Sequence, residues 1–278
     1  MDPDAYLKKH HLLTYVEDAV CLLLARKDED PKTKPFQLLA GYFKSVLDDS
    51  QVVFREYNFI SSTPRNRKAF VRLIWQTYSG VPEAREPMRL AELHSLVRLL
   101  CADFPLGETE KVALHEHSGA GGILSFPDFM YTFQITFYFD CFLGHLKSML
   151  PGLLTGAYIP PLYGQFTAVV VPLPPAPNNT SSNSPSSTSK SIHGVETEAN
   201  EAKVCSRTVE GGVFLEAALG LCRRMGEREP GQSYPSQEAL KEVLSGVEQL
   251  SLNEFVVKLS LSETINREIG VLPVCKRI

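Results

Sequence analysis

The sequence has no long hydrophobic run, no closely spaced pair of cysteines and no excess of basic charge. It contains no stretch of about 18 apolar residues, so we expect no transmembrane helix and no membrane partner. None of the six cysteines forms a C-x-x-C pair, which favours reduced, buried thiols over a metal finger or a disulfide framework. Because the formal net charge is −4, nucleic acid is not an expected partner. The acidic start, Met-Asp-Pro-Asp, has no apolar signal core, so we expect a protein of the cytoplasm.

Signatures of catalysis and of cofactor binding are also absent from the sequence. It has neither the H-E-x-x-H motif of zinc proteases nor the G-x-S-x-G elbow of hydrolases. The glycine run at 119–122 follows no predicted strand and precedes no Lys-Ser or Lys-Thr pair, so a phosphate site is not favoured. His94, His115 and His117 lack the spacing of a metal site, which favours surface or packing histidines. We therefore predict a protein that is not an enzyme, with no catalytic residues, no metal and no cofactor.

Two short amphipathic helices are the most informative feature that the sequence does contain. They lie within residues 6–46 and are joined by a charged, proline-bearing turn at 28–35. Apolar residues recur at helical spacing, so each helix has one apolar and one polar face. This hairpin has too little core to fold alone and must pack on the rest of the chain or on a second, similar hairpin. Such a module favours assembly over catalysis. We predict a protein interface consisting of Leu12, Val16, Ala19, Val20, Leu23, Phe36, Leu39 and Phe43.

A known docking module has a similar pattern of residues in this region. The pattern consists of Tyr6-Leu7, His11, Asp18-Ala19-Val20, Leu22-Leu23, Arg26, Leu39-Ala40 and Tyr42-Phe43. It resembles the dimerisation and docking module of the type-II regulatory subunit of cAMP-dependent protein kinase. The resemblance implies two hairpins that pair into a four-helix bundle with a groove for an amphipathic helix. The turn at 28–35 is longer here than the acidic, proline-bearing turn usual in that family.

A second pattern, at 115–129, has the outline of an EF-hand calcium loop. Calcium needs several oxygen ligands, chiefly carboxylates, at set positions of the loop. Here three of those positions hold His117, Gly119 and Gly121, and only Asp128 at the last is acidic. We therefore expect a degenerate EF-hand that serves as scaffold and binds no calcium. A similar outline at 250–255 suggests a second EF-like unit.

The order of these patterns defines the expected architecture. We predict an all-α fold with a docking-type or dimerisation-type helical hairpin, followed by a degenerate EF-hand-like helical domain. From Phe126 to about Leu150 we expect one long aromatic helix, buried because it is apolar nearly all round, with a partner seat on its surface as the alternative. The polar stretch that begins at 172 has too few large apolar residues to pack, so we expect disorder there. The predicted segments are 1–50 (hairpin), 51–171 (helical domain), 172–207 (linker) and 208–278 (C-terminal helices packed on the preceding domain).

Four longer segments resemble one specific family. They are TYVEDAVCLLL (14–24), VVFREYNFISSTPRNR (52–67), ELHSLVRLLCADFPL (92–106) and LSFPDFMYTFQITFYF (124–139). They are similar to the centriolar-satellite-associated regulators of the tubulin polyglutamylase complex. The resemblance implies a non-catalytic scaffold subunit that binds the polyglutamylase subunits, controls their assembly and stability, and so modulates microtubule polyglutamylation. It also implies tubulin and the satellite scaffold as partners, and a location on the cytoskeleton, at centrosomes, at centriolar satellites and at the base of the cilium.

An alternative function comes from the hairpin alone. An anchoring or signalling adaptor would homodimerise through the hairpin and capture an amphipathic helix, as in kinase anchoring. Mixing the purified chain with polyglutamylase subunits, and separately with an anchoring-type helix, distinguishes the two hypotheses.

Overall fold

The computed structural model describes residues 2–82, 86–115, 123–156, 204–229 and 231–273. Nearly all regular structure in these ranges is helical, which confirms the all-α prediction. None of the described helices is both long enough and apolar enough to span a membrane. The loop positions 117–121, which the calcium argument uses, and residues 172–203 of the predicted linker lie outside the described residues.

Thirteen helices and four short strands have both ends within the described residues. The first five helices are α1 (Pro3–Lys9), α2 (Leu12–Glu29), α3 (Pro35–Leu47), α4 (Tyr57–Ser61) and α5 (Pro64–Tyr78). The next four are α6 (Leu90–Leu100), α7 (Leu106–His115), α8 (Phe126–Tyr138) and α9 (Asp140–Leu154). The last four are α10 (Gly211–Arg228), α11 (Gln237–Leu244), α12 (Leu252–Leu261) and α13 (Glu263–Ile269). The strands are β1 (Met88–Arg89), β2 (Ile123–Leu124), β3 (Val209–Glu210) and β4 (Gln249–Leu250).

Side-chain caps fix the starts of several helices. The Thr63 hydroxyl accepts a hydrogen bond from the Asn66 backbone N–H, and Pro64 takes the first helical position of α5, where its missing N–H costs nothing. Ser236 caps α11 in the same way, through the backbone N–H of Ala239. The caps at Thr63 and Ser236 are recognisable in the sequence, because each hydroxyl residue comes directly before an apolar periodic segment.

Two short antiparallel ribbons join the helices in pairs. β1 pairs with β2, so that Met88 lies opposite Leu124, and β3 pairs with β4, so that Val209 lies opposite Leu250. Each strand comes directly, or one residue, before a helix. The first ribbon therefore holds the starts of α6 and α8 together, and the second holds the starts of α10 and α12. The EF-hand likeness of these units stays a prediction.

The buried apolar side chains form two large cores. The first core lies among α5, α6, α7 and α8, and the second among α9 to α13. The first includes Phe70, Ile74, Leu93, Val97, Phe129 and Phe133. The second includes Phe142, Leu146, Phe214, Leu240, Phe255 and Ile265. Helix α9 thus packs with the C-terminal helices, although the sequence-based segments group it with residues 51–171. The second core also contains Cys205, which is buried just before the predicted end of the linker at 207.

The prediction of one long aromatic helix from Phe126 to about Leu150 is wrong. The chain leaves helical geometry at Phe139, whose φ is −98° and ψ is 23°, and this residue separates α8 from α9. Aromatic residues continue through the break, so the hydrophobic pattern gives no sign of it. The expectation that Phe129, Phe133 and Phe137 belong to the core is confirmed, because all three are buried.

Direct contacts join the two cores. The Tyr131 hydroxyl donates to the carbonyl oxygen of Pro273 at 2.7 Å, and Gln134 donates to the side-chain oxygen of Asn266. Leu272, which follows the last helix, is buried in the first core. The two cores therefore pack as one unit, with C-terminal residues completing the N-terminal core.

Candidate protein interface

One side of the N-terminal hairpin packs on its own chain through a small buried cluster. Tyr15, Ala19 and Tyr42 pack there with Phe59 of α4. Tyr15 and Ala19 are four residues apart on α2, so they share one face of that helix. Burial raises the pKa of the Tyr15 hydroxyl, which lies 3.0 Å from the side-chain oxygen of Asn66 on α5. Through this face the hairpin is part of the folded domain.

An ion pair fixes α2 against the segment that follows the hairpin. The Arg55 guanidinium donates two hydrogen bonds to the carboxylate of Asp18, at 3.0 and 2.6 Å. The same guanidinium lies 3.9 Å from the centre of the Phe59 ring, within cation–π range. Both charged side chains are largely shielded from solvent. A bidentate, shielded pair of this kind holds a helix in one orientation.

Arginines of α5 fix the end of α3. Arg65 donates to the carbonyl oxygens of Val46 and Leu47, at 3.0 and 3.1 Å. These carbonyls belong to the last turn of α3, where a cation also complements the helix dipole. Asp49, just beyond the helix, forms ion pairs with Arg65 and Arg72. The C-terminal end of the hairpin is therefore held in place by α5.

A histidine connects the start of α2 to the C-terminal half of the chain. His11 adopts a left-handed conformation with φ 51° and separates α1 from α2. Its Nε2 atom lies 2.6 Å from the carbonyl oxygen of Gly231. A Cβ atom added at Gly231 would lie 2.5 Å from this nitrogen, so a larger residue there would displace the imidazole.

The opposite side of the hairpin exposes apolar side chains, which we call the outer stripes. The α2 stripe consists of Leu13, Val16, Val20 and Leu24, and the α3 stripe consists of Phe36, Phe43 and Leu47. Along α2 the members are three or four residues apart, and along α3 they are seven and four apart, so each set forms one line along its helix. Phe36 is 87% exposed and Leu47 is 74% exposed. Clustered apolar exposure of this kind marks interaction surfaces in proteins.

The eight residues predicted as an interface divide between the two sides of the hairpin. Val16, Val20, Phe36 and Phe43 lie in the outer stripes. Leu12, Leu23 and Leu39 are half-buried. Ala19 is only 1% exposed and is covered by its own chain, so it offers no surface to a partner in this structure. Leu13, Leu24 and Leu47 are not among the eight, although their spacing from Val16, Val20 and Phe43 places them on the same lines.

The histidines considered for a metal cluster have packing roles where the structure describes them. His115 is buried, and its Nδ1 atom lies 3.0 Å from the side-chain oxygen of Asn253. Burial lowers its pKa to about 4, against a weaker opposing effect of that hydrogen bond. His94 contacts the Thr109 hydroxyl at 3.0 Å, and His117 lies outside the described residues. A different group, Cys141, His145 and Glu229, has ligand atoms within 4.8 Å of one another and could hold a metal ion.

The described part of the chain is mainly helical, and its hairpin is fixed on one side and apolar on the other, which are features of a protein-interaction module. Residues 1–49 match the family model described as CSTPP1 N-terminal domain. The chain is similar to proteins named centriolar satellite-associated tubulin polyglutamylase complex regulator 1. The identity is 31% over 273 residues with the protein of Danio rerio, covering 97% of this chain and 74% of that protein.

The mammalian relatives are similar to the same degree. The Bos taurus protein is 33% identical over 270 residues, covering 96% of this chain and 74% of its own length. The Homo sapiens protein is 32% identical over 270 residues, covering 96% of this chain and 73% of its own length. No solved structure matches the chain. The chain therefore belongs to the family of centriolar satellite-associated tubulin polyglutamylase complex regulators.

Proposed function

We propose that this protein is a non-catalytic scaffold subunit that controls the assembly and stability of the tubulin polyglutamylase complex. Through the complex it modulates the polyglutamylation of microtubules. The names of its relatives, which are similar along 96–97% of this chain, support a regulatory role. By the same argument its partners are the polyglutamylase subunits, tubulin and the centriolar satellite scaffold, and its place is at the centrosome and the base of the cilium.

The exposure of the outer stripes is the observation that carries the proposal. Burying one large apolar side chain contributes about 1.5–3 kcal/mol, so leaving Phe36, Phe43 and Leu47 in water forgoes a sizeable stabilisation. A partner that covers both stripes would recover it. The inner side of the hairpin cannot serve this purpose, because Tyr15, Ala19 and Tyr42 are already buried.

The anchoring of the hairpin supports the same conclusion. The Asp18–Arg55 pair and the contacts of Arg65 hold α2 and α3 on the domain. The outer stripes are therefore presented in a fixed arrangement, which lowers the entropy lost when a partner binds. A scaffold subunit needs such a preformed surface.

Co-purification with the polyglutamylase subunits tests the proposal. Phe36→Glu introduces a charge in the first turn of α3, where an acidic residue is compatible with the helix. We expect this variant to lose the complex while its circular dichroism spectrum stays unchanged. Leu106→Glu is the matched control, because Leu106 is also a large exposed apolar residue in the first turn of a helix. Binding by Phe36→Glu equal to that of Leu106→Glu would overturn the hairpin as the binding surface.

The adaptor alternative predicts a different result from the same proteins. A homodimerising hairpin would give a dimer by light scattering and would bind an isolated anchoring-type helix. Phe36→Glu would then convert the dimer to a monomer without any polyglutamylase subunit present. A wild-type monomer that binds the polyglutamylase subunits supports the proposed function instead.

A further inference from the structure

We propose that Cys141, His145 and Glu229 form a binding site for one zinc ion. Cys141 and His145 are four residues apart on α9, so both project from the same face of that helix. Glu229 is the residue that ends α10. The thiol sulfur lies 3.6 Å from Nδ1 of His145 and 3.3 Å from a carboxylate oxygen of Glu229. All three ligand atoms lie within 4.8 Å of one another.

The two separations from sulfur agree with those around a tetrahedral zinc ion. Zinc lies about 2.3 Å from a thiolate sulfur, about 2.0–2.1 Å from an imidazole nitrogen and about 2.0–2.2 Å from a carboxylate oxygen. At a tetrahedral angle, these bond lengths place the sulfur about 3.5 Å from the nitrogen and from the oxygen. The Cys141 sulfur therefore already lies at zinc-like separations from both other ligand atoms. A solvent molecule would complete the four-coordinate shell.

The charges of the three groups also suit a divalent ion. A thiolate and a carboxylate together neutralise Zn²⁺, and the mixed sulfur, nitrogen and oxygen ligands favour zinc over magnesium or calcium. In the free site the Cys141 thiol donates a hydrogen bond to the Glu229 carboxylate, so the sulfur carries a proton. Binding of zinc displaces that proton from sulfur to solvent, and one Zn–S bond replaces one S–H bond.

Neighbouring groups support the site. The Tyr234 hydroxyl donates to the same Glu229 oxygen at 3.1 Å and so orients the carboxylate. The ion would join α9 to the residue that ends α10. The spacing of Cys141 and His145 is visible in the sequence, but Glu229 is too distant along the chain to be recognised there.

Titration of the tag-free, full chain with Zn²⁺, after removal of metal with a chelator, tests the proposal. We expect binding of one ion per chain, release of a proton and a higher melting temperature. With Co²⁺ as a coloured substitute, we expect a thiolate-to-metal charge-transfer band. Tyr234→Phe should weaken binding by about 10–100-fold, because it removes an outer hydrogen bond. Cys141→Ser, His145→Gln and Glu229→Gln should each weaken it further.

Two control variants keep the result interpretable. Cys21→Ser removes an exposed thiol on α2, and His94→Gln removes an imidazole on α6, so neither should change the affinity. Failure of the wild-type chain to bind zinc would overturn the proposal. So would zinc binding that the Cys141 and Glu229 variants retain, provided that circular dichroism shows the variants to be folded.

Discussion

At the scale of single residues, Asn66 connects the hairpin to the domain. Its side-chain oxygen accepts hydrogen bonds from Gln51 and Tyr15, both at 3.0 Å, and its side-chain nitrogen donates to the carbonyl oxygen of Phe59 at 2.8 Å. Asn66 is fully buried, so no water could take the place of its side chain as the hydrogen-bond partner of these groups. Removing one partner of a buried hydrogen bond leaves the other unsatisfied, at a cost of about 1–3 kcal/mol.

We therefore expect Asn66→Ala to lower the free energy of unfolding by about 2–3 kcal/mol, measured by urea denaturation. Tyr15→Phe removes only one hydroxyl from the same group and should cost about 1 kcal/mol. A loss below about 0.5 kcal/mol for Asn66→Ala is typical of a surface position and would contradict this role.

Residue roles were predictable from the sequence where the partners are close along the chain. Thr63 and Pro64 are recognisable as a helix start, because the cap and its N–H partner are three residues apart. Asn66 was not recognised, because its partners Gln51 and Tyr15 lie 15 and 51 residues away. A polar residue in an amphipathic helix is ordinarily placed on the solvent side, so only the fold reveals its burial.

At the scale of elements, the start of α12 depends on a capping box. The Ser251 hydroxyl accepts from the backbone N–H of Glu254 at 3.2 Å, and the Glu254 carboxylate accepts from the backbone N–H of Ser251 at 2.8 Å. We expect Ser251→Ala to cost about 1 kcal/mol of unfolding free energy, since an N-cap hydroxyl is lost. Ser95→Ala on α6 is the control, because that exposed hydroxyl caps no helix. Equal stabilities of the two variants would argue against the cap.

The junction of α1 and α2 gives a second element-scale prediction. Gly231→Ala places a methyl group 2.5 Å from Nε2 of His11, so the imidazole must move and its contact with the Gly231 carbonyl is lost. We expect Gly231→Ala to be destabilising in the wild-type chain and less so in the His11→Ala background. A double-mutant cycle by urea denaturation should give a coupling above about 0.5 kcal/mol. Additive effects would mean that His11 and Gly231 do not interact.

The ends of helices were predictable from the sequence where turn-forming residues mark them. The charged turn with Pro31 and Pro35 correctly separates α2 from α3. Two boundaries had no such marker. The separation of α1 from α2 occurs at His11, a residue without a strong turn preference, and the separation of α8 from α9 occurs at Phe139, inside an aromatic run. Both breaks coincide with tertiary contacts, since His11 contacts Gly231 and Phe139 is buried in the second core.

At the scale of the whole molecule, His115 of α7 contacts Asn253 of α12 and so joins the two cores. Burial lowers its pKa to about 4 in the folded chain, below the value of about 6.5 expected after unfolding. The unfolded chain therefore binds a proton more readily between these values. The resulting stabilisation is complete above pH 6.5 and is lost as the pH falls towards 4, by about 3 kcal/mol in total.

We expect His115→Gln to unfold with a weaker pH dependence than the wild-type chain between pH 6.5 and 4. Glutamine keeps a polar contact with Asn253 but has no titrating group. The measurement is urea unfolding of both proteins at several pH values in this window. If the free energy of unfolding changed equally with pH in the two proteins, His115 would not be the group that causes the pH dependence.

The candidate interface was only partly predictable from the sequence. Helical spacing identified the apolar lines that include Val16, Val20, Phe36 and Phe43. Helical spacing could not distinguish these exposed residues from the buried Ala19. Periodicity shows that a helix face is apolar, but it does not show whether that face is covered by the same chain. Tyr15 and Tyr42, which cover the inner face, were left out because a tyrosine is read as readily at a surface as in a core.

The position of Leu272 implies that the first core can be completed only late in the synthesis of the chain. This residue is buried in a core otherwise built from residues 52–137, and Tyr131 is hydrogen-bonded to the carbonyl of the following Pro273. A ribosome delivers these contacts only after more than a hundred further residues have been translated. Until then the core of the nascent N-terminal half lacks the side chain of Leu272. Chaperones would have their longest access to the chain in that interval.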